Sequence, residues 1–227
     1  SYGIVPLENS TEGAVNATLD ALQNTELNIC GELEMPIRHS LLAPQSALEN
    51  IKTVYGHQQS LAQCKNKLSN FLPKAKVVPV ESSGLALKKA SSKRSNACIA
   101  HETFANSNDL KVVKKNIEDQ KNNTTRFAVI GESSPPKSSN DKTSLMFEIS
   151  HRPGALADAM MAFKTCRLNL TWIESFPMPE SKNEYFFFVE FEGHESSPKV
   201  KRVLKELEEI TSRHVVLGSY PRSQPVE

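Results

Sequence analysis

The sequence predicts an α/β fold followed by a smaller α+β unit, and three observations carry this prediction. Short apolar segments alternate with segments of helical period over residues 1–131. Residues 132–142 contain Pro-Pro, serines and charged side chains with almost no apolar residue, which is the composition of a linker. After the linker, the predicted elements follow the order strand, helix, strand, strand, helix, strand. That order is typical of the ferredoxin-like split βαβ unit.

The chain opens on an apolar strand pattern at Tyr2–Pro6. Apolar residues then recur with helical spacing from Val15 to Leu22, and we expect Ser10 or Thr11 to be the N-cap of this helix. Between Leu27 and Ile37 the period changes to two, which predicts a strand.

The remaining elements of the first part are shorter. Strands that alternate with helices at this spacing favour a largely parallel sheet. We predict strands at Ile51–Tyr55, Val77–Val80, Ala97–Ala100 and Phe127–Ile130, and helices at Ser60–Phe71 and from Ser82 or Ser83 to Ala90.

The second part has the clearer periodicity. Its two helices are predicted to begin at Pro153 and to span Val200–Ile210. Its strands are predicted at Leu145–Ile149, Leu168–Glu174, Tyr185–Phe191 and His214–Leu217.

Composition excludes several classes of function. Lys and Arg number 27 against 26 Asp and Glu, a net charge of +1, so we expect neither a nucleic-acid nor a membrane partner. No run of 18 apolar residues occurs, and the first ten residues do not resemble a signal peptide. The four cysteines are scattered, with no CxxC pair or clustered His. We therefore expect reduced, mostly buried thiols in a cytoplasmic protein: Cys30, Cys64, Cys98 and Cys166.

Four polar clusters stand where predicted strands give way to helices. Open α/β sheets bind ligands at this edge, and converging helix N-termini suit an anion such as a small carboxylate. Ser, Thr and Asn at helix starts are also ordinary capping residues, so both interpretations stay open. The clusters are Glu8–Thr11, Gly56–Gln59 with Gln63, Glu81–Ser83, and Asn123–Arg126.

These residues resemble the successive signatures of the prephenate dehydratase family. The matching segments are Tyr2–Gly13, Gly56–Cys64 and Thr125–Phe127. The linker and the βαββαβ unit resemble the family's C-terminal ACT domain. There, Gly154-Ala155-Leu156 matches a Gly-Ala-Leu turn, and the segment 169–175 (NLTWIES) leads into a Glu-Ser-Arg-Pro motif. The resemblance covers essentially the whole chain, in the right order.

The resemblance implies a two-lobed catalytic domain like a periplasmic solute-binding protein at 1–131, a linker at 132–142 and an ACT regulatory domain at 143–227. It implies a lyase that converts prephenate to phenylpyruvate, water and carbon dioxide in L-phenylalanine biosynthesis. No cofactor or metal is implied. It further implies feedback inhibition by L-phenylalanine and assembly as a homodimer or homotetramer.

The same resemblance assigns roles to residues. Thr125 is expected to donate its hydroxyl to the leaving oxygen, and Glu81 to tune the site or relay a proton. Arg126 either pairs with a substrate carboxylate or braces the hinge, and His57 is either a substrate contact or a hydrogen-bonded loop residue. The expected substrate-binding set is Asn9, Ser10, Thr11, His57, Gln63, Arg126 and Phe127. The expected L-phenylalanine-binding set is Gly154, Ala155, Leu156, Asn169, Glu174 and Ser175.

Two departures from the family pattern stand out. The chain lacks an initiator Met, and nothing before Ser1 resembles the Gly-rich strand-to-helix segment with which the family begins. We therefore expect an N-terminally incomplete catalytic domain, with little or no activity by these 227 residues alone. In addition, Phe176 stands where the family has Arg, so any contact made by that Arg is absent.

Two other functions compete with this interpretation. An amino-acid-binding ACT sensor without catalytic activity would not need Asn9, Gln63 and Thr125 in one cleft. A periplasmic-type solute receptor would share the lobed fold, but we would expect it to have an export signal and no appended ACT unit.

Overall fold

A computed structural model describes residues 1–177 and 185–223. Packing divides the chain into two compact units: the first comprises Ser1–Met35 and Thr124–Glu227, and the second comprises Pro36–Asn123. The sequence predicted a different division, into a catalytic domain, a linker and a C-terminal domain with boundaries after residues 131 and 142. That division stays a prediction.

The elements are numbered in chain order. The strands are β1 (Tyr2–Asn9), β2 (Gly13–Ala14), β3 (Asn28–Pro36), β4 (Ser40–Ala43), β5 (Thr53–His57), β6 (Lys76–Val80), β7 (Asn96–Ala100), β8 (Lys111–Lys114), β9 (Thr124–Gly131), β10 (Asp141–Ile149), β11 (Leu170–Pro177), β12 (Tyr185–Glu192) and β13 (Arg213–Pro221). The α-helices are α1 (Asn16–Leu22), α2 (Gln58–Gln63), α3 (Lys65–Phe71), α4 (Ser83–Ser91), α5 (Phe104–Ser107), α6 (Ala155–Cys166) and α7 (Pro198–Ile210), and a short 3-10 helix spans Leu48–Asn50.

The first unit begins with a sheet of strand order β2-β1-β9-β3. Strands β1 and β9 are antiparallel, and Asn9 lies opposite Thr125. The predicted N-cap of the first helix is wrong, because the chain turns back to pair β2 with Glu8 and Asn9 before the helix starts. Helix α1 begins at Asn16, and Val15 is its N-cap. Ser10 and Thr11 therefore lie in the turn between β1 and β2.

The second unit contains a mixed five-stranded sheet of order β6-β5-β7-β4-β8. Strand β5 runs parallel to β6 and β7, whereas β4 runs antiparallel to β7 and β8. The predicted largely parallel sheet is thus wrong for the first part of the chain. The short antiparallel strands β4 and β8 were not predicted. Strand β9 does not belong to this sheet but pairs with β1 in the antiparallel sheet of the first unit. The predicted helix Ser60–Phe71 is also divided at Cys64 into α2 and α3.

The C-terminal part of the first unit has the predicted βαββαβ order. Its sheet, of order β11-β12-β10-β13, is antiparallel at each of its three pairings. Since side chains alternate along a strand, Phe187, Val189 and Phe191 of β12 pack with α6 and α7. The alternate residues Phe186 and Phe188 pack in a second cluster.

The second cluster joins this sheet to the N-terminal segments of the same unit. Leu7 and Ile29 from β1 and β3 pack there with Phe188, and all three side chains are fully buried. Phe176 is buried in this cluster opposite Phe186. The side chain at this position therefore contributes to packing.

All four cysteines are free, and three of them are buried. Burial raises the pKa of Cys64 and of Cys98 to about 12, which disfavours their thiolates. Helices that are both long and apolar enough to cross a bilayer do not occur in the part of the chain that the structure describes.

Candidate active site

Asn9 and Thr125 form a hydrogen-bonded pair across β1 and β9. Asn9 Nδ2 donates to Thr125 Oγ1 at 2.9 Å. The backbone N–H and the hydroxyl of Thr11 both donate to Asn9 Oδ1, at 3.0 and 2.7 Å. These bonds fix the orientation of the amide, with its nitrogen directed at Thr125. Because Thr125 Oγ1 accepts this bond, its own hydroxyl proton is left for donation to another acceptor.

Ser10 ties the turn after β1 to the start of β9. Its backbone N–H donates to the carbonyl of Thr124 at 2.9 Å, and the N–H of Thr124 donates to Ser10 Oγ at 3.0 Å. The hydroxyl of Ser10 thus holds the turn that follows Asn9 against the start of β9. Its expected contact with substrate stays a prediction, as does that of Phe127, which is half-buried opposite Pro6 on β1.

Arg126 is surrounded by carboxylates of its own unit. Its guanidinium forms ion pairs with Glu8, Glu32 and Glu190 at 3.0, 3.2 and 2.6 Å. Burial alone would lower the pKa of Arg126, but the charge and the hydrogen bond of Glu190, with a smaller effect of Glu32, outweigh burial and raise it. Of the two roles left open for Arg126, this placement favours bracing over binding of a substrate carboxylate.

In the second unit, Gln63 is held by His39, which was not predicted, and by Asn123, which belongs to one of the predicted polar clusters. Its Oε1 lies 2.8 Å from His39 Nε2 and accepts from Asn123 Nδ2 at 3.1 Å. Since an amide oxygen only accepts, His39 Nε2 carries the proton of this hydrogen bond. The backbone N–H of His39 donates to buried Glu118 at 3.0 Å. His39 precedes the unpredicted strand β4, so no local pattern marked it.

His57 and Glu81 lie at one edge of the sheet in the second unit. Strands β5 and β6 are parallel, His57 lies opposite Val80, and Glu81 follows Val80 directly. His57 is half-buried at the start of α2, and Glu81 is exposed. The predicted cap of the next helix is confirmed, since Ser82 Oγ accepts from the N–H of Leu85 at 3.2 Å. The chemical roles of His57 and Glu81 stay predictions.

The expected L-phenylalanine-binding residues lie at separate places in the C-terminal part of the first unit. Gly154, Ala155 and Leu156 line a cavity of about 190 Å³. Asn169 is exposed and lines a different cavity of about 740 Å³. The remaining two residues, Glu174 and Ser175, lie on the edge strand β11. Within the described residues, Gly154 and Asn169 of one copy of the chain therefore line different cavities.

A metal site is a separate question. Among residues 1–177 and 185–223, no group of three or more His, Cys, Asp or Glu side chains could hold a metal ion.

Comparison with protein families adds to this geometry. The family model described as prephenate dehydratase matches residues 1–135. The chain is 40% identical over 224 residues to a bifunctional chorismate mutase/prephenate dehydratase of Pseudomonas aeruginosa, covering 98% of this chain and 61% of that protein. It is 37% identical over 223 residues to a prephenate dehydratase of Methanocaldococcus jannaschii, covering 96% of this chain and 80% of that protein.

Solved structures also resemble this fold. A prephenate dehydratase of Arthrobacter aurescens in complex with L-Phe superposes with a TM-score of 0.89 at 32% identity, covering all of this chain and 77% of that one. A protein described as a quorum quenching acylase, GqqA, superposes with a TM-score of 0.88 at 28% identity, covering 98% of this chain and 82% of that one.

Proposed function

Because the chain belongs to the prephenate dehydratase family, we propose that its protein is a lyase that converts prephenate to phenylpyruvate in L-phenylalanine biosynthesis. The observation that carries the proposal is the Asn9–Thr125 hydrogen bond, which lies inside the family match and leaves the Thr125 hydroxyl as a donor. The chain spans 61% of the length of the Pseudomonas aeruginosa relative, which is bifunctional. The proposal therefore concerns only the dehydratase activity.

The proposed reaction breaks two bonds of prephenate. The ring carboxylate leaves as carbon dioxide, and the electron pair of that carbon–carbon bond enters the ring and expels the hydroxyl group at C4. The ring becomes aromatic, and the departing hydroxide gains a proton to become water. Thr125 stabilises the charge that develops on the leaving oxygen by donating its hydroxyl proton in a hydrogen bond. A threonine is a weak acid, so solvent or a neighbouring group finally supplies the proton.

The proposed roles of the other site residues begin with the orientation of Thr125. Thr11 holds the Asn9 amide, and Asn9 holds Thr125 as a donor. Gln63, held by His39 and Asn123, is likewise proposed to orient the substrate. We propose that His57 binds substrate and that Glu81 tunes the site or relays a proton. None of these steps calls on a cofactor.

The finer family assignments belong to the same proposal. These are a catalytic domain with lobes like a periplasmic solute-binding protein, and an ACT regulatory domain at 143–227 that binds L-phenylalanine. The βαββαβ topology and the Gly-Ala-Leu cavity support the second assignment. Since Asn169 lines another cavity, we propose that two copies of the chain complete the effector site, one giving Gly154 and the other Asn169.

The effector site can be tested through Leu156, which lines the smaller cavity and is 36% exposed. Leu156→Ala removes apolar surface from the proposed phenyl contact and should weaken L-phenylalanine binding about tenfold. Position 154 suits this test less well, because its φ of +84° would strain any side chain. Met161→Ala is the matched control, on the same helix and 54% exposed outside the cavity.

The measurement is calorimetric titration of the full-length natural polypeptide with L-phenylalanine, and D-phenylalanine tests stereospecificity. The isolated segment 143–227 is unsuitable, because one face of its sheet shares a core with Leu7 and Ile29. Absence of both binding and inhibition at millimolar L-phenylalanine would refute the effector role.

The enzymatic activity is tested by incubating prephenate with the same polypeptide in the presence of a metal chelator. We expect equimolar phenylpyruvate and carbon dioxide. A sensor without catalytic activity would bind L-phenylalanine yet leave prephenate unchanged, and that result would favour the alternative function.

A further inference from the structure

An ionic cluster, mostly buried but half-exposed at Glu8, lies directly beside Thr125 in the first unit. It consists of Arg126, Glu8, Glu32, Lys142 and Glu190, and we call it the Arg126 cluster. We propose that this cluster positions Thr125 for catalysis, and that Glu190 is the positioning residue through which the C-terminal sheet fixes β9. The inference rests on the proposed dehydratase function and deepens it.

All three nitrogen atoms of the Arg126 guanidinium donate hydrogen bonds within the cluster. Nη1 donates to both carboxylate oxygens of Glu190, at 2.8 and 2.6 Å, and to Glu32 at 3.2 Å. Nε and Nη2 donate to Glu8 Oε2 at 3.3 and 3.0 Å. The guanidinium carbon lies 4.7 Å from the centre of the Trp172 ring. Such a set of directional contacts allows Arg126 little freedom to move.

Glu190 is buried because alternate side chains of β12 face the core and Glu190 occupies one of these positions. It shares a face with Phe186 and Phe188, and it is 1% exposed. A carboxylate in such surroundings must be paired, and Lys142 Nζ donates to it at 3.0 Å in addition to Arg126. The hydroxyls of Ser144 and Tyr220 lie 3.2 and 3.1 Å from its Oε1 and 2.6 Å from each other, so one donates to the other and the second donates to Glu190.

All four strands of the C-terminal sheet therefore supply a side chain that contacts Arg126 or Glu190. Trp172 belongs to β11, Glu190 to β12, Lys142 to β10 and Tyr220 to β13. Removing the negative charge of Glu190 would leave two buried cations, Arg126 and Lys142, with fewer partners. We expect Arg126 to shift in response, because an imbalance of buried charge is costly.

A shift of Arg126 would reach Thr125 through the backbone. Glu8–Arg126 and Asn9–Thr125 are successive cross-strand pairs of β1 and β9. Since consecutive side chains of a strand point to opposite faces, Arg126 is anchored on the sheet's inner face while Thr125 lies on the other. The separation and tilt of the strands at the first pair thus set the Asn9–Thr125 hydrogen bond at the second. Misplacement of a catalytic group by about 1 Å can cost about 100-fold in rate.

The test is Glu190→Gln in the full-length natural polypeptide, which keeps the side-chain volume and removes the charge. We expect kcat for prephenate to fall about tenfold while KM changes less than about twofold. The same substitution is then made in a Thr125→Val background. If Glu190 acts by positioning Thr125, it should have no further effect on kcat once the hydroxyl is gone. A merely structural role would lower kcat by the same factor in both backgrounds.

Two further variants keep the test decisive. Tyr220→Phe removes one of the two hydroxyls that lie against Glu190 at nearly constant volume, and serves if Glu190→Gln does not fold. We expect it to lower kcat about threefold, again only when Thr125 is present. Glu206→Gln breaks the exposed ion pair with Arg202 on α7 and should leave kcat unchanged.

The outcomes separate the two proposals. An unchanged kcat in Glu190→Gln, or an equal loss in both backgrounds, overturns the positioning role alone. Absence of turnover by the wild-type polypeptide would instead overturn the dehydratase function on which the inference rests.

Discussion

Replacing Thr125 with valine is expected to lower the turnover of prephenate by about 100-fold or more. Valine keeps the shape of threonine but cannot donate a hydrogen bond to the departing hydroxide. Loss of one donor that acts on developing charge typically costs 10²–10³-fold in kcat, or about 3–4 kcal/mol. Because the charge develops only in the transition state, KM should change little. Thr125→Ser retains the hydroxyl and should stay within about tenfold of the wild type.

A second substitution separates the direction of the hydrogen bond from the mere presence of the hydroxyl. In Asn9→Asp the amide nitrogen that donates to Thr125 Oγ1 becomes a carboxylate oxygen, which only accepts. The Thr125 hydroxyl would then donate to position 9 instead of the leaving group, so turnover should fall at least about tenfold with Thr125 intact.

Steady-state kinetics of phenylpyruvate formation measures both effects. Thr165→Val is the matched control, since Thr165 is exposed on α6. If Thr125→Val retains wild-type turnover, Thr125 has no part in the mechanism.

Elements with strong periodicity could be predicted from the sequence. Strand β3 alternates clearly, and the apolar residues of α7 recur at helical spacing, so both lie close to their predicted places. Strand β4 could not be predicted, because its four residues are all buried and a short apolar run without alternation does not specify a strand. The antiparallel pairings of β4 and β9 depend on contacts distant in sequence, which local patterns do not encode.

The same contrast applies to the candidate site. Asn9, Thr11 and Thr125 were predicted from short motifs, and the structure places Asn9 in contact with both threonines. The Arg126 cluster was not predicted, because its members are scattered from residue 8 to residue 190. One signal was available: Glu190 shares the β12 face of Phe186 and Phe188, and a charge on an apolar face requires a partner.

Gly218→Ala is expected to destabilise the first unit by about 4 kcal/mol or more, a large part of the stability of a typical domain. Gly218 lies on β13 with a φ of +151°, a conformation that residues with a side chain rarely adopt. A Cβ there would lie only 3.0 Å from the carbonyl carbon of Ile29 and 3.1 Å from its nitrogen, and closer still to its carbonyl oxygen. These are backbone atoms of buried Ile29 in strand β3, so they cannot move aside as a flexible side chain would.

Urea unfolding followed by Trp172 fluorescence measures this effect, because the chain has one tryptophan and it packs against Phe188 in the same unit. Gly31→Ala is the matched control, two residues from Ile29 on β3. Its Cβ would meet Val129 at 3.6 Å, an ordinary contact, so stability should stay the same or rise by up to about 1 kcal/mol. A Gly218→Ala protein within about 1 kcal/mol of wild type would mean that β3 and β13 do not approach each other this closely. The expected loss, with Gly31→Ala unaffected, would instead establish the close approach that holds β3 against the C-terminal sheet and brings Glu32 within reach of Lys142 and Arg126.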